Sequence, residues 1–158
     1  MKSPVPAASY VTLGLGPEVC AVEVGMVREI LDSGPIARLP DAPPFLSGVI
    51  DLRGSTVPVI DLRVKLGMAA APVTPDTRIL VADLGRTDRD LIVGLQVERV
   101  FEVAQLEAGS LQSPPDIGGG WRSEYIKAIG RLNGEFVIIL DLPKLFSARE
   151  IDSIPAQP

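Results

Sequence analysis

Paired carboxylates are where acid–base chemistry would start, and this chain carries two sets of them at matching places. Asp61 and Asp141 each precede a leucine and a short stretch of helical character, residues 62–66 and 142–146. That position suits a capping carboxylate, which accepts the orphan N–H groups of a first helical turn, better than a catalytic one. Glu29 and Glu102 stand among apolar neighbours, in Val27-Arg28-Glu29-Ile30 and Val100-Phe101-Glu102-Val103. They read as acids at a strand edge or an interface, and as metal ligands they would lack companions. The lone Cys20 alternates within a valine-rich run with no basic neighbour, the pattern of a small buried hydrophobe. Glycines 118–120 have the composition of a phosphate cradle, but Trp121-Arg122-Ser123 follows where a P-loop needs Lys-Ser/Thr and a helix, so a connector is expected. Trp121 suits either a binding anchor or a clamp that ties this loop to the body.

Histidine is absent from all 158 residues. This removes the Ser-His-Asp and Cys-His relays, imidazole metal ligands and phosphohistidine. One cysteine makes neither an internal disulfide nor a zinc cage, so no cofactor or metal is expected and nothing marks an oxidising compartment. A net charge of −5 argues against nucleic acid as the main partner, and against anionic membrane. The N-terminus lacks the apolar core of a signal peptide, and apolar runs such as 136–140 are too short to cross a bilayer. A cytoplasmic protein without direct membrane insertion is the expectation.

Arg53 survives this elimination. It sits in Leu52-Arg53-Gly54, a tight turn where a long cationic side chain has no local purpose. It is either a solvated turn residue or a hydrogen-bonding fork for a partner.

The elements that position these residues are mostly strands. Short β-branched runs at 19–24, 78–83, 91–97 and 136–140 are bounded by Gly, Pro or Asp, and Asn133-Gly134 is a strong hairpin signal. Residues 41–46 read as a single turn entering a strand. A shift of 80 residues lays Phe45-Leu46-Ser47-Gly48-Val49 over Tyr125-Ile126-Lys127-Ala128-Ile129, Leu52-Arg53-Gly54 over Leu132-Asn133-Gly134, and Ile60-Asp61-Leu62 over Leu140-Asp141-Leu142. Residues 19–30 echo 92–103 in the same way. Two repeats are too few for a solenoid and suit two small β-barrels packed on each other, with 67–77 as the crossover. The chain alone therefore reads as a two-lobed, all-β binding module rather than an enzyme.

Residues 43–63, Pro-Pro-Phe-Leu-Ser-Gly-Val-Ile-Asp-Leu-Arg-Gly-Ser-Thr-Val-Pro-Val-Ile-Asp-Leu-Arg, resemble the signature of the CheW family, the coupling proteins of bacterial chemotaxis. The resemblance spans about 9–147 and takes in Val27-Arg28-Glu29-Ile30, Gly94-Leu95-Gln96-Val97 with Val100 and Val103, Pro114-Pro115, and Ile138-Ile139-Leu140-Asp141-Leu142. It implies two SH3-like five-stranded barrels around a shared hydrophobic core, with few short helices. The first lobe is expected at about 20–72 and the second at about 92–147, with strands at 9–19 and 78–91 open to exchange and flexible tails at 1–8 and 148–158. The implied function is a non-enzymatic adaptor linking the cytoplasmic tip helices of chemoreceptors to the regulatory domain of a CheA-type histidine kinase, monomeric outside the receptor array. A related adaptor of a twitching or surface-sensing pathway is one alternative, and a small ligand-binding barrel a more distant one. By resemblance the receptor contacts are Val27, Glu29, Gly48, Arg53, Gly54, Val100 and Val103. Ile30, Val57 and Val59 are candidates for the kinase face. Asp51 stands where the family usually has Asn, Cys20 where it has an aromatic, Glu98 for Asp and Ala128 for Gly. The length leaves no room for a receiver domain or kinase body, so a stand-alone adaptor is expected.

Overall fold

The computed structural model describes residues 7–84, 91–114 and 124–146; the 118–120 glycines, Trp121 and most of both expected tails lie outside the described residues. Among those described, ten strands form two five-stranded sheets. One sheet holds β1 (Ala7–Leu15), β2 (Glu18–Glu23), β8 (Arg99–Glu107), β9 (Ile126–Leu132) and β10 (Glu135–Leu140), ordered β8-β1-β2-β10-β9. The other holds β3 (Val27–Asp32), β4 (Leu46–Leu52), β5 (Ser55–Asp61), β6 (Arg78–Asp83) and β7 (Ile92–Val97), ordered β3-β6-β7-β5-β4. None of the described helices is long and apolar enough to cross a membrane.

The two orders are the same arrangement used twice. β4–β5 and β9–β10 are antiparallel hairpins, and each slips register at an equivalent place: Leu46↔Ile60 shifts to Gly48↔Val59, and Ile126↔Leu140 to Ala128↔Ile139. Both hairpins turn on two residues of positive φ, Arg53-Gly54 and Asn133-Gly134 (50°, 87° and 53°, 82°), the backbone of a type I′ turn. After β5, Asp61 caps α1 (Leu62–Lys65), its side chain accepting the N–H groups of Arg63 and Val64. Asp141 occupies the matching place before a 3-10 turn at Leu142–Lys144 but makes no side-chain cap. The expectation of a capping carboxylate is corrected there: Pro143 takes the first turn and has no N–H to offer.

Chain order and sheet membership do not coincide. β5 pairs in parallel with β7, and β10 in parallel with β2. Hence β2 joins the sheet of β8–β10, while β6 and β7 join the sheet of β3–β5. The sequence boundaries at 20 and 92 are corrected accordingly, since the chain crosses between lobes after Glu23 and after Val97. Local hairpin patterning places a strand beside its sequence neighbour and is blind to these parallel, non-local pairings.

Alternation along the strands builds the cores. In the β8–β10 sheet, Tyr10, Ala21, Leu106, Ala128, Val137 and Ile139 fill one barrel. Their alternates Val11, Leu13, Cys20, Val22 and Leu140 turn the other way, meeting Ile60, Leu80, Ala82, Val93, Leu95 and Val97 of the second sheet in one large seam. Val57, Val59, Ile79 and Val81, on the alternate positions of β5 and β6, are 0–2% exposed. The central strands are therefore covered on both faces, which is why they read as almost continuous apolar runs.

Candidate protein-docking site

Barrel closure assembles the site. β3 lies at one edge of its sheet and the β4–β5 turn at the other, yet Arg53 on that turn reaches Glu29 on β3. The guanidinium donates through Nη2 to Oε1 at 2.6 Å and through Nη1 to Oε2 at 3.3 Å, a fork-to-fork pair. The arginine side chain is nevertheless 74% exposed. Its hydrogen bonds hold the Glu29 carboxyl below its ordinary value and raise the arginine's own. Beneath the pair, Leu52, Val57, Val81 and Ile92 line an open pocket of about 390 Å³ at the barrel mouth.

The repeat supplies an internal control. The second barrel has a matching but smaller mouth, about 240 Å³, where Asn133 replaces Arg53, Glu102 matches Glu29 and Phe101 replaces Arg28. Glu102 engages Thr12 through its backbone alone, its N–H and C=O both bonded to the hydroxyl. Only the first mouth carries the Arg–Glu fork.

Val27 and Val100 are brought together in kind. Each precedes a register slip on an edge strand, between Val27 and Glu29 on β3 and between Val100 and Val103 on β8. A bulge re-aims the side chains beside it, and both valines pack, half-buried, against the seam from opposite lobes. Val103 and Ile30, 60% and 43% exposed, extend this apolar margin outward on the same two edges.

Other sequence-named residues take different roles. Gly48 (φ 149°) is buried where an added Cβ would stand 2.1 Å from the carbonyl oxygen of Ala37, so close backbone approach accounts for this glycine. Gly54 is exposed and supplies positive φ, its N–H bound to Asp51 Oδ1 at 2.9 Å. Val57 and Val59 are a correction: at 2% and 0% exposure their side chains point into the first barrel, Val57 forming part of the floor of its mouth, and neither offers an outer surface for a kinase face. Strand periodicity had not said which of the two faces of β5 was open, and neither is.

Three features went unremarked in the sequence. Arg63 is buried, donating to Asp61 at 3.4 Å, to Glu98 at 3.1 Å and to the carbonyl of Ala71 at 3.0 Å, which pins the crossover to both the helix and the β7–β8 junction. Lys65 lies 5.1–5.4 Å from the rings of Phe45, Tyr125 and Phe146, so one cation joins the two lobes. The repeat pairing of Phe45 with Tyr125 was the available signal. Phe101 and Phe136 are exposed, each beneath an arginine, Arg99 at 6.0 Å and Arg131 at 4.4 Å.

Catalytic groupings do not appear among the described residues. No cluster of His, Cys, Asp and Glu there is suited to a metal. Burial pushes the Cys20 thiol up to about 12, the opposite of an activated nucleophile. The paired Asp61 is tied up as a cap.

Comparisons with known proteins agree with this fold. The family model described as a CheW-like domain matches residues 9–150. The chemotaxis protein CheW of Klebsiella aerogenes is 30% identical over 142 residues, covering 90% of this chain and 83% of that one. The chemotaxis protein CheW of Rhizobium meliloti is 31% identical, with 91% and 96% covered. Among solved structures, the crystal structure of the scaffolding protein TtCheW from Thermoanaerobacter tengcongensis aligns with a TM-score of 0.80 at 27% identity, over 92% of this chain and 96% of that one.

Proposed function

The chain belongs to the family of CheW-like domains, and on that premise we propose how it works. It is a coupling adaptor of bacterial chemotaxis, built on two SH3-like barrels around a common core. It performs no chemistry of its own and joins two protein partners, chemoreceptor tip helices and a CheA-type kinase, in membrane-associated arrays. The alternative pathways are less favoured, because the relatives reported above carry chemotaxis names.

The receptor face is the margin running from the seam to the mouth of the first barrel: Val27, Val100 and Val103 for apolar contact, then Glu29, Arg53 and Gly54 for register. Gly48 contributes by shaping the strand that carries the turn. One observation carries this reading. Arg53 is held in a left-handed backbone conformation, exposed, by a fork to Glu29, at a turn where the other barrel uses the ordinary Asn. An aliphatic edge next to a fixed guanidinium suits an amphipathic helix laid along it. Ile30 is the remaining candidate for the kinase face.

The test reverses the charge at Arg53. Arg53→Glu is expected to keep the melting temperature and lose receptor-tip binding by at least tenfold in a titration with dimeric tip fragments, while capture of a CheA-type kinase continues. Unchanged receptor binding would remove Arg53 from the face. Failure of the wild-type chain to capture any kinase of its source proteome would overturn the adaptor reading itself.

A further inference from the structure

Among the described residues, the arginines at the first barrel mouth are each paired with a carboxylate, and the neighbouring Asp51 has no such pair. Arg53 is matched by Glu29 through both nitrogens, and Arg28 by Asp83 at 2.8 Å. Asp51 is the exception. Two residues before Arg53 and exposed, it spends Oδ1 on the N–H of Gly54 at 2.9 Å, and its other oxygen meets no partner among the described residues. Asp51 forms no ion pair there either, so next to Arg53 it presents a fixed carboxylate that no described cation neutralises.

Fixation matters as much as charge. The Gly54 bond holds the carboxylate in one orientation, so a partner cation loses less entropy meeting it than meeting a freely rotating acid. An acidic partner residue set opposite Asp51 would meet like charge, while the guanidinium donors of Arg53 outside the fork stay open to a second partner group. A basic one would complete the pairing. Beside Asp51 the pocket floor is apolar (Leu52, Val57, Val81, Ile92). The complementary surface is a helix with an aliphatic side chain and, one turn away at i+3 or i+4, a lysine or arginine.

We propose that Asp51 is a specificity residue of the receptor face, selecting tip helices that place a lysine or arginine opposite it. This rests on the adaptor reading and adds the chemistry of the partner residue. Asp51→Asn is the discriminating variant, because its side-chain oxygen still accepts from Gly54 and only the charge is lost. Dimeric coiled-coil fusions of the receptor tips from the source genome are the probe, titrated at low and high salt. The expected result is binding about threefold to tenfold weaker for Asp51→Asn at low salt, a shallower salt dependence and an unchanged melting temperature. Asp51→Lys is expected to abolish binding, and changing the fragment's basic residue to Glu to restore it. Equal or tighter binding by Asp51→Asn, with Arg53→Glu still defective, overturns the proposal and leaves the adaptor reading in place. If no tip fragment binds the wild-type chain while the chain still captures a kinase, both the Asp51 proposal and the receptor face are wrong.

Discussion

Arg53 occupies a backbone conformation that disfavours it. At φ 50° the Cβ of any L residue crowds the backbone, a cost that Asn and Asp offset by local hydrogen bonding, and Asn133 shows what turn geometry alone would select. The side chain is exposed, and exposed ion pairs stabilise little, so the fold gains little from an arginine at this turn, as the receptor contact proposed above requires. Arg53→Asn should therefore leave the melting temperature within about 2 °C of wild type, or raise it, while receptor binding is lost. The same variant tests the pairing directly. Because Arg53 lowers the Glu29 carboxyl below its ordinary value, the fork is complete above that value and breaks only as pH falls through the lower, folded one. Carboxyl NMR should show Glu29 titrating below a free glutamate in wild type and returning toward it in Arg53→Asn. An unaltered Glu29 titration would mean that the fork is not formed in solution.

Single elements show what the sequence disclosed and what it withheld. The strands at 78–83 and 136–140, the Asn133-Gly134 hairpin and the Asp61 cap were all legible, because each depends on contacts within a few residues. The β4–β5 and β9–β10 repeat was legible too, down to its Arg53/Asn133 difference, which pointed to the proposed site. Hidden were the events that need a distant strand: the parallel pairs β5–β7 and β10–β2, the burial of Val57 and Val59, and the fork from Arg53 to Glu29. Gly48 and Ala128 make the limit concrete. They are repeat partners on equivalent bulges, yet only Gly48 has positive φ and lies against Ala37, whose bridge to Val49 is matched in the second barrel by Gln112↔Ile129. Gly48→Ala should cost about 2–3 kcal/mol, since the Cβ would meet backbone that a rotamer change does not relieve. Ala128→Gly should cost under about 1 kcal/mol, the backbone entropy of a glycine in a strand. Chemical denaturation of both variants checks the asymmetry. Equal losses would place the constraint in the bulge itself rather than in the Ala37 contact.

At the scale of the whole molecule, the largest apolar cluster belongs to neither barrel. It is the seam, to which both sheets contribute, and the chain crosses it twice, so the β3–β7 lobe is one continuous segment set between the two segments that build the other lobe. The other lobe cannot be cut out as one segment, and either lobe alone would expose its half of the seam, so the two should unfold as one cooperative unit. Lys65 among Phe45, Tyr125 and Phe146, and Arg63 pinning the crossover, reinforce the same coupling. Such coupling fits an adaptor whose proposed receptor margin draws Val27 from one lobe and Val100 from the other, because on that proposal their separation must survive binding. Leu95, fully buried in the seam on β7, is the place to test it. Leu95→Ala should cost about 2–5 kcal/mol through lost burial and the cavity left behind. Hydrogen exchange would then separate two outcomes. A cooperative molecule loses protection by the same free energy at the slowest amides of both sheets, at Val81 beside the substitution and at Val137 in the far barrel alike. Undiminished protection at Val137 would mean independent lobes, and the receptor margin would then be a hinge instead of a fixed surface.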